Sequence, residues 1–264
     1  MMQPGAVVGD DVAMSELSAL DTVRAIADPV HDVGTAIFLS PDVAARAETG
    51  GYANPFAFYF AGRGGMLGDV DAEVVAAAFG WFNPDVVSLL YTEGRDVHGA
   101  RGAGERMMEA TALWGDGHLA GVDGDVLARF VALAERLVDG AEASGLPLFA
   151  AWRSRPRAPS VPGRVAQLCQ ILREWRGAIH LVATTAVGLS PLEAILTNEG
   201  PGQAAFFGWP EPFPDCSALS DLHGEAEAIT DRLCAVQIER LLTGEERAQL
   251  ADAVATVAEA ATAG

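Results

Sequence analysis

Residues 161–188, VPGRVAQLCQILREWRGAIHLVATTAVG, decide the fold. Apolar side chains fall at Val165, Leu168, Leu172, Trp175, Ile179, Val182 and Ala186. Steps of three and four alternate, which is the spacing of one helical face. Pro162 suits a first helical turn and Gly188 a stop. At about 1.5 Å per residue this helix runs roughly 40 Å, enough to cross a domain. Turning about 100° per residue, Cys169, Arg173, Arg176, His180 and Thr184 share a flank beside the apolar stripe. Two readings of that flank stand open. The arginines pair with nearby acids and His180 is a hydrogen-bonded helix residue, or the flank lines a site.

Outward from this helix the chain reads as more helices. Residues 17–27 predict a helix that ends before Asp28-Pro29, after which His31 and Asp32 open a second apolar stretch, 33–39. Ser40-Pro41 caps a short helix over 41–48, and Asn54-Pro55 starts another, PFAFYFAGRGG. In the latter, Phe56, Tyr59, Phe60 and Arg63 lie at i, i+3, i+4 and i+7, one face. An arginine buried on an aromatic face needs a partner, either an internal acid or a ligand carboxylate or carbonyl. Residues 71–82 are helical, and Asn83-Pro84 caps a helix to about Tyr91. The glycine-rich EGRDVHGARGAGERMM then leads into a helix to Trp114, and GDGHLAGVDGD is a loop. Residues 126–143 form a long amphipathic helix. The apolar run 146–152 is the only place where strand alternation is conceivable. RSRPRAPSVPGR carries the one basic cluster, Arg153, Arg155, Arg157 and Arg164, and its prolines make it a connection that solvates its charges or meets an anion. Beyond the central helix, Ser190-Pro191 caps PLEAILTNEG, residues 200–215 lack periodicity, and 216–242 and 244–261 are two terminal helices with Thr243 as a cap. The fold class is all-α, a multi-helix bundle.

Bulk composition narrows the function. The 264 residues are half hydrophobic, so a sizeable core is available. The formal charge is −19, and every basic side chain is arginine. That balance repels phosphate backbones unless a local basic patch exists. Cys169, Cys216 and Cys234 are odd in number and far apart, the usage of a reducing cytoplasm. No basic leader and no run of about 18 apolar residues occurs, so neither a signal peptide nor a membrane partner is expected. Gly62, Gly64, Gly65 and Gly68 follow a helix, not a strand, so they make no dinucleotide fingerprint. A Walker lysine, GxSxG and HExxH are absent, and His98, His118 and Asp116 lack metal-ligand spacing. Neither a metal nor a cofactor is expected.

PVHDV near residue 30, FYFAGRGGMLGDVDAEVVAAAFGWFNPDVV at 58–87 and LREWRGAIHLVATTAVGLSPLEAIL at 172–196 resemble a family of actinobacterial proteins labelled helix-turn-helix. The terminal LSDLHGEAEAITDRLCAVQIERLLTGEERAQL resembles that family's ending. The resemblance implies a helical N-terminal region and a C-terminal part similar to a MarR-type winged helix. His31, Arg63, Arg173, Glu174, Arg176, Gly177 and His180 stand at positions the family commonly fills with the same residue types. This chain has LREWRGAIH where the family usually has LREHRGDGH. Between PLEAILTNEG and LSDLHGEAEAI only GPGQAAFFGWPEPFPD remains, with proline throughout and no arginine. A recognition helix and wing are not expected from it, and residues from Glu211 onward carry eleven acids and three arginines. The winged-helix-like part is therefore expected to be degenerate and nucleic acid not to be a partner. The division expected is 1–16 as a flexible tail, 17–152 as an N-terminal helical region and 153–264 as the central helix plus the degenerate C-terminal region.

What survives is a set of polar groups on separate helices that would line one apolar pocket if the helices converge. Histidine can move a proton near neutral pH, and arginine can hold an oxyanion. The leading expectation is a cofactor-independent enzyme of bacterial specialised metabolism, a cyclase, isomerase, lyase or hydrolase. His31, Arg63 and His180 would be catalytic, and Phe56, Tyr59, Arg173, Trp175, Arg176 and Thr184 would contact a small-molecule substrate. The alternatives are a metabolite-binding or resistance protein and a MarR-like regulator. A homodimer is possible.

Overall fold

The computed structural model describes residues 16–263, so the expected tail at 1–16 lies almost wholly outside the described residues. In chain order the helices are α1 (Ala19–Phe38), α2 (Pro41–Thr49), α3 (Pro55–Gly65), α4 (Ala72–Phe79), α5 (Pro84–His118) and α6 (Gly124–Gly140). They continue with α7 (Pro147–Arg153), α8 (Val161–Ala186), α9 (Pro191–Asn198), α10 (Pro201–Phe206), α11 (Ser220–Leu241) and α12 (Gly244–Thr262). No strand occurs among the described residues, so the bundle is all-α and its C-terminal part has no β-wing.

The central helix is α8, which packs against α1, α5, α6, α7, α9 and α11. Val165, Leu168, Leu172, Trp175 and Ile179 are buried on it as the spacing predicts. The stripe then turns away. Val182 is 47% exposed, and Ala183 and Thr184 are buried instead. A three-four alternation averages 3.5 residues, and against the 3.6 of a straight helix it drifts about 20° per heptad.

Several expected boundaries move. Pro29 does not end the first helix; α1 runs through it. The proline removes one N–H, but Val23, Ile26, Val30, Val33 and Ile37 form one buried stripe, and packing against α8, α11 and α12 outweighs that loss. Residues 146–152 are helical, not extended, with Pro147 in the first turn. The glycine-rich segment lies inside α5, which breaks only at Gly99, where φ is 72°. Gly94 and Gly104 of this segment face the backbone of α3. A Cβ on Gly65 would overlap the Ala100 carbonyl, and one on Gly94 the Ala57 carbonyl, so the two backbones touch where side chains cannot fit. The arginines of the proline-rich connection are engaged inside the fold. Arg153 donates to the Ala141 carbonyl at 2.6 Å, Arg155 to the Met66 carbonyl, Arg157 to Asp139 and Arg164 to the Ala158 carbonyl at 2.9 Å.

Residues 200–215 also differ from expectation. Pro201 is no helix breaker there; it occupies the first turn of α10, and Gly200 at φ 84° makes the turn from α9. Two short helices joined by Glu199-Gly200 result. The end of α10 is tied down, because Asn83 N–H donates to the Phe207 carbonyl and Trp209 Nε1 to the Trp81 carbonyl, both at 2.9 Å. On the other side of the bundle α1 packs on α12, and one hydrophobic core runs from Ala19 to Ala261.

Candidate functional site

A cavity of about 530 Å³, open to solvent on one side, lies where α1, α3, α8, α9 and α11 meet, with Trp81, Phe82 and Phe207 also on its wall. Seven of the residues singled out from sequence line it: His31, Tyr59, Arg63, Arg173, Trp175, Arg176 and His180. Phe56 does not. It sits in the first turn of α3, 47% exposed, with its ring edge-on to Phe206 at 6.4 Å. Thr184 does not either; it is buried beyond the cavity, four residues past His180.

The three arginines are in different states. Arg63 is 7% exposed and Glu174 3%. Arg63 Nε donates to Glu174 Oε1 at 2.7 Å and Nη2 to Oε2 at 2.9 Å, a two-pronged pair. Its third nitrogen, Nη1, reaches the Tyr59 hydroxyl at 3.4 Å, and its Cζ lies 4.1 Å from the centre of the Phe79 ring. Burial alone would lower the pKa of this guanidinium, but Glu174's charge and hydrogen bonds outweigh it and the pKa is raised. Of the partners left open by the sequence, the internal acid is the one present. Arg176 donates to Glu227 Oε2 at 2.8 Å and lies 3.7 Å from Asp231. Arg173 has no hydrogen bond and no ion pair among the described residues. Its guanidinium stands 5.6 Å from the Phe38 ring, in space that exists because residue 34 is glycine; a Cβ there would overlap Arg173 Cδ.

Two histidines complete the polar wall. His31 is exposed at the cavity edge, and its pKa is lowered, first by desolvation and then by Arg173, so the imidazole is neutral at pH 7 beside that guanidinium. His180 is set more tightly. Its Nδ1 is 2.9 Å from Thr230 Oγ1, and Thr230 Oγ1 is 2.8 Å from the Ala226 carbonyl. A hydroxyl has one proton, and the carbonyl can only accept. Thr230 therefore donates to Ala226 and accepts from His180, which fixes the proton of the neutral ring on Nδ1. The Nε2 lone pair then faces Glu227 Oε1 at 3.4 Å. Trp81 stacks on the ring with centroids 5.3 Å apart.

Sequence reasoning missed Trp81, His223, Glu227 and the contribution of α9. Ala194, Ile195, Asn198 and Glu199 form the cavity wall on that side. A usable signal existed only for His223 and Glu227, which stand four apart on one helical face.

The family model described as "Helix-turn-helix family" matches residues 22–213, from within α1 to beyond α10. The chain belongs to that helix-turn-helix family. Neither a curated protein nor a solved structure matches it. Membership overturns the expectation that nucleic acid is not a partner. That expectation rested on residues 200–215 lacking a recognition helix with basic flanks and on the acidic stretch from Glu211 onward; α10, six residues long and without a basic side chain, is the helix that forms there. No single helix is long and apolar enough to cross a membrane.

Proposed function

We propose that this member of the helix-turn-helix family is a ligand-responsive regulator, with a small organic anion as its ligand and α9–α10 as its helix-turn-helix unit. One observation carries the reading: the cavity that holds the unpaired Arg173 has α9 as a wall. Arg173 beside a neutral His31 supplies a cation and a hydrogen-bonding ring for a carboxylate. Tyr59, Trp81, Trp175 and Phe207 supply aromatic surface for the ligand body. A ligand that fills the space between α8 and α9 binds two arrangements of that wall unequally, which is what shifting an equilibrium requires.

The test uses the full chain. Native mass spectrometry identifies a co-purified organic acid, and duplexes are then selected from a random library at low salt with and without it. The expected result is an enriched duplex whose affinity changes when the acid is added. Failure to enrich any duplex in either state overturns the regulator reading. A second reading, acid–base catalysis on the same ligand, draws support from the neutral-ring tautomer that Thr230 fixes on His180 at the cavity wall. Conversion of the identified acid by the wild-type chain and not by His180→Ala would favour it.

A further inference from the structure

His180 on α8 and His223 and Glu227 on α11 bring two imidazole nitrogens and a carboxylate oxygen within 4.8 Å of one another at the cavity wall. We propose that these three residues bind a divalent transition-metal ion of the zinc class, with a fourth position open to the cavity.

Four observations converge. The donor set, two imidazoles and one carboxylate, is one that zinc accepts when it keeps a position for water or a ligand. The spacing fits: with zinc–ligand bonds of about 2.0–2.1 Å, two ligands of a tetrahedral ion stand about 3.3 Å apart. His180 Nε2 and Glu227 Oε1 are already 3.4 Å apart. The two His rings stand edge to face with centroids 6.1 Å apart, and His223 is partly exposed, so its side chain is not locked by packing.

The supporting contacts are also those of a metal site. A zinc-binding histidine usually gives its other ring proton to an oxygen acceptor, which fixes the ring and the tautomer. His180 gives Nδ1–H to Thr230, and Thr230 is held in turn by Ala226. Glu227 is anchored likewise, since Arg176 takes Oε2 and leaves Oε1 toward His180. Arg176 is a positive charge near the ion, but Asp231 at 3.7 Å offsets it and the carboxylate stands between. His223 and Glu227 recur four residues apart on α11, so one helix presents both on one face. The absence of metal expected from sequence rested on spacings within the loops, whereas here a third donor comes from a helix more than forty residues upstream.

Calorimetric titration of the tag-free full chain with zinc chloride tests this. One saturable site per chain is expected. His223→Ala and Glu227→Gln should each weaken it by at least about 100-fold, and Thr230→Val by about 10–100-fold through loss of the orienting hydrogen bond. His118→Ala, which removes a histidine stacked on Trp114 away from this cluster, should leave the affinity unchanged. His223 is partly exposed, so its substitution spares the fold, and far-UV circular dichroism of each variant checks that. No saturable binding, or zinc binding that survives His223→Ala, overturns the site. Both readouts concern zinc alone, so they fail or succeed independently of duplex and organic-acid binding.

Discussion

Arg63 and Glu174 form a buried pair in which each charge depends on the other. Removing one partner of such a pair leaves an uncompensated charge, at a cost of about 3–5 kcal/mol. Glu174→Gln is accordingly expected to lower unfolding free energy by that order, read from urea denaturation. Replacing both by apolar residues, as in Arg63→Met with Glu174→Leu, is expected to restore most of it, because desolvation of two charges is relieved together. A double variant as unstable as the single one would show that the pair also fixes the positions of α3 and α8. The sequence showed that Arg63 sits on an aromatic face and needs a partner. It could not say which of 36 acids answers, since Glu174 lies 111 residues away. At His31, which is exposed, a small pH dependence follows from partial desolvation and from Arg173, both screened by solvent. Facing it are Arg173 and Arg176 from α8, which lower its pKa with desolvation, and Asp28 and Asp32 on its own helix, which raise it; the net shift is downward. A histidine depressed in the fold takes its proton more readily when unfolded. Its contribution to stability is therefore complete above the ordinary value of about 6.5 and is lost as pH falls below it. His31→Gln is expected to flatten the decline in melting temperature between about pH 6.5 and 5 relative to wild type. An unchanged slope would refute that assignment.

At the scale of the helix, the glycines decide more than the apolar pattern. The run GARGAG on α5 looks like loop sequence because glycine is poor in helix interiors, whereas FAGRGG on α3 reads as helix from its aromatic face. They are helical because backbone-to-backbone packing between α3 and α5 needs positions without a Cβ. Gly65→Ala is expected to cost about 1–3 kcal/mol or more, since the added carbon meets a carbonyl that cannot move aside as a side chain would. Gly117→Ala, where nothing lies within 4 Å, gives the contrast and should be neutral or slightly stabilising. Equal urea midpoints for the two variants would contradict the packing account. The same limit explains the misread prolines. Pro29 and Pro201 both read as helix breakers, yet one lies inside a helix and the other begins one. The difference is set by the buried stripe of α1 in the first case and by the left-handed Gly200 in the second, and only the latter is local. The long α8 was legible because its period repeats from Val165 to Ile179 and beyond, whereas α10 has too few residues to show a period at all.

Across the whole molecule the charge of −19 and the unpaired Arg173 pull in opposite directions. Distant acids raise the cost of bringing in an anion, and salt screens them beyond about 10 Å at 0.1 M. The contact with Arg173 is inside the cavity and is screened much less. A cavity-filling carboxylate is therefore expected to keep its affinity, or gain slightly, as salt rises from low to physiological strength. At a hundred times its Kd it should add about 2.7 kcal/mol to stability. For a chain of this size that raises the melting temperature by about 5–10 °C. Arg173→Gln should remove most of that shift, because hydrogen bonds to a charged group contribute about 1.5–3 kcal/mol, or roughly 10–100-fold in affinity. Gly34→Ala should act in the same direction without touching the charge, by driving the Arg173 stem out of the space it occupies. Thermal scans of the three proteins with the acid identified from the native chain decide the matter. A shift that persists in Arg173→Gln means that the ligand is held by another cation. A shift lost in Arg173→Gln but intact in Gly34→Ala means that the guanidinium is reached from a different side of the cavity.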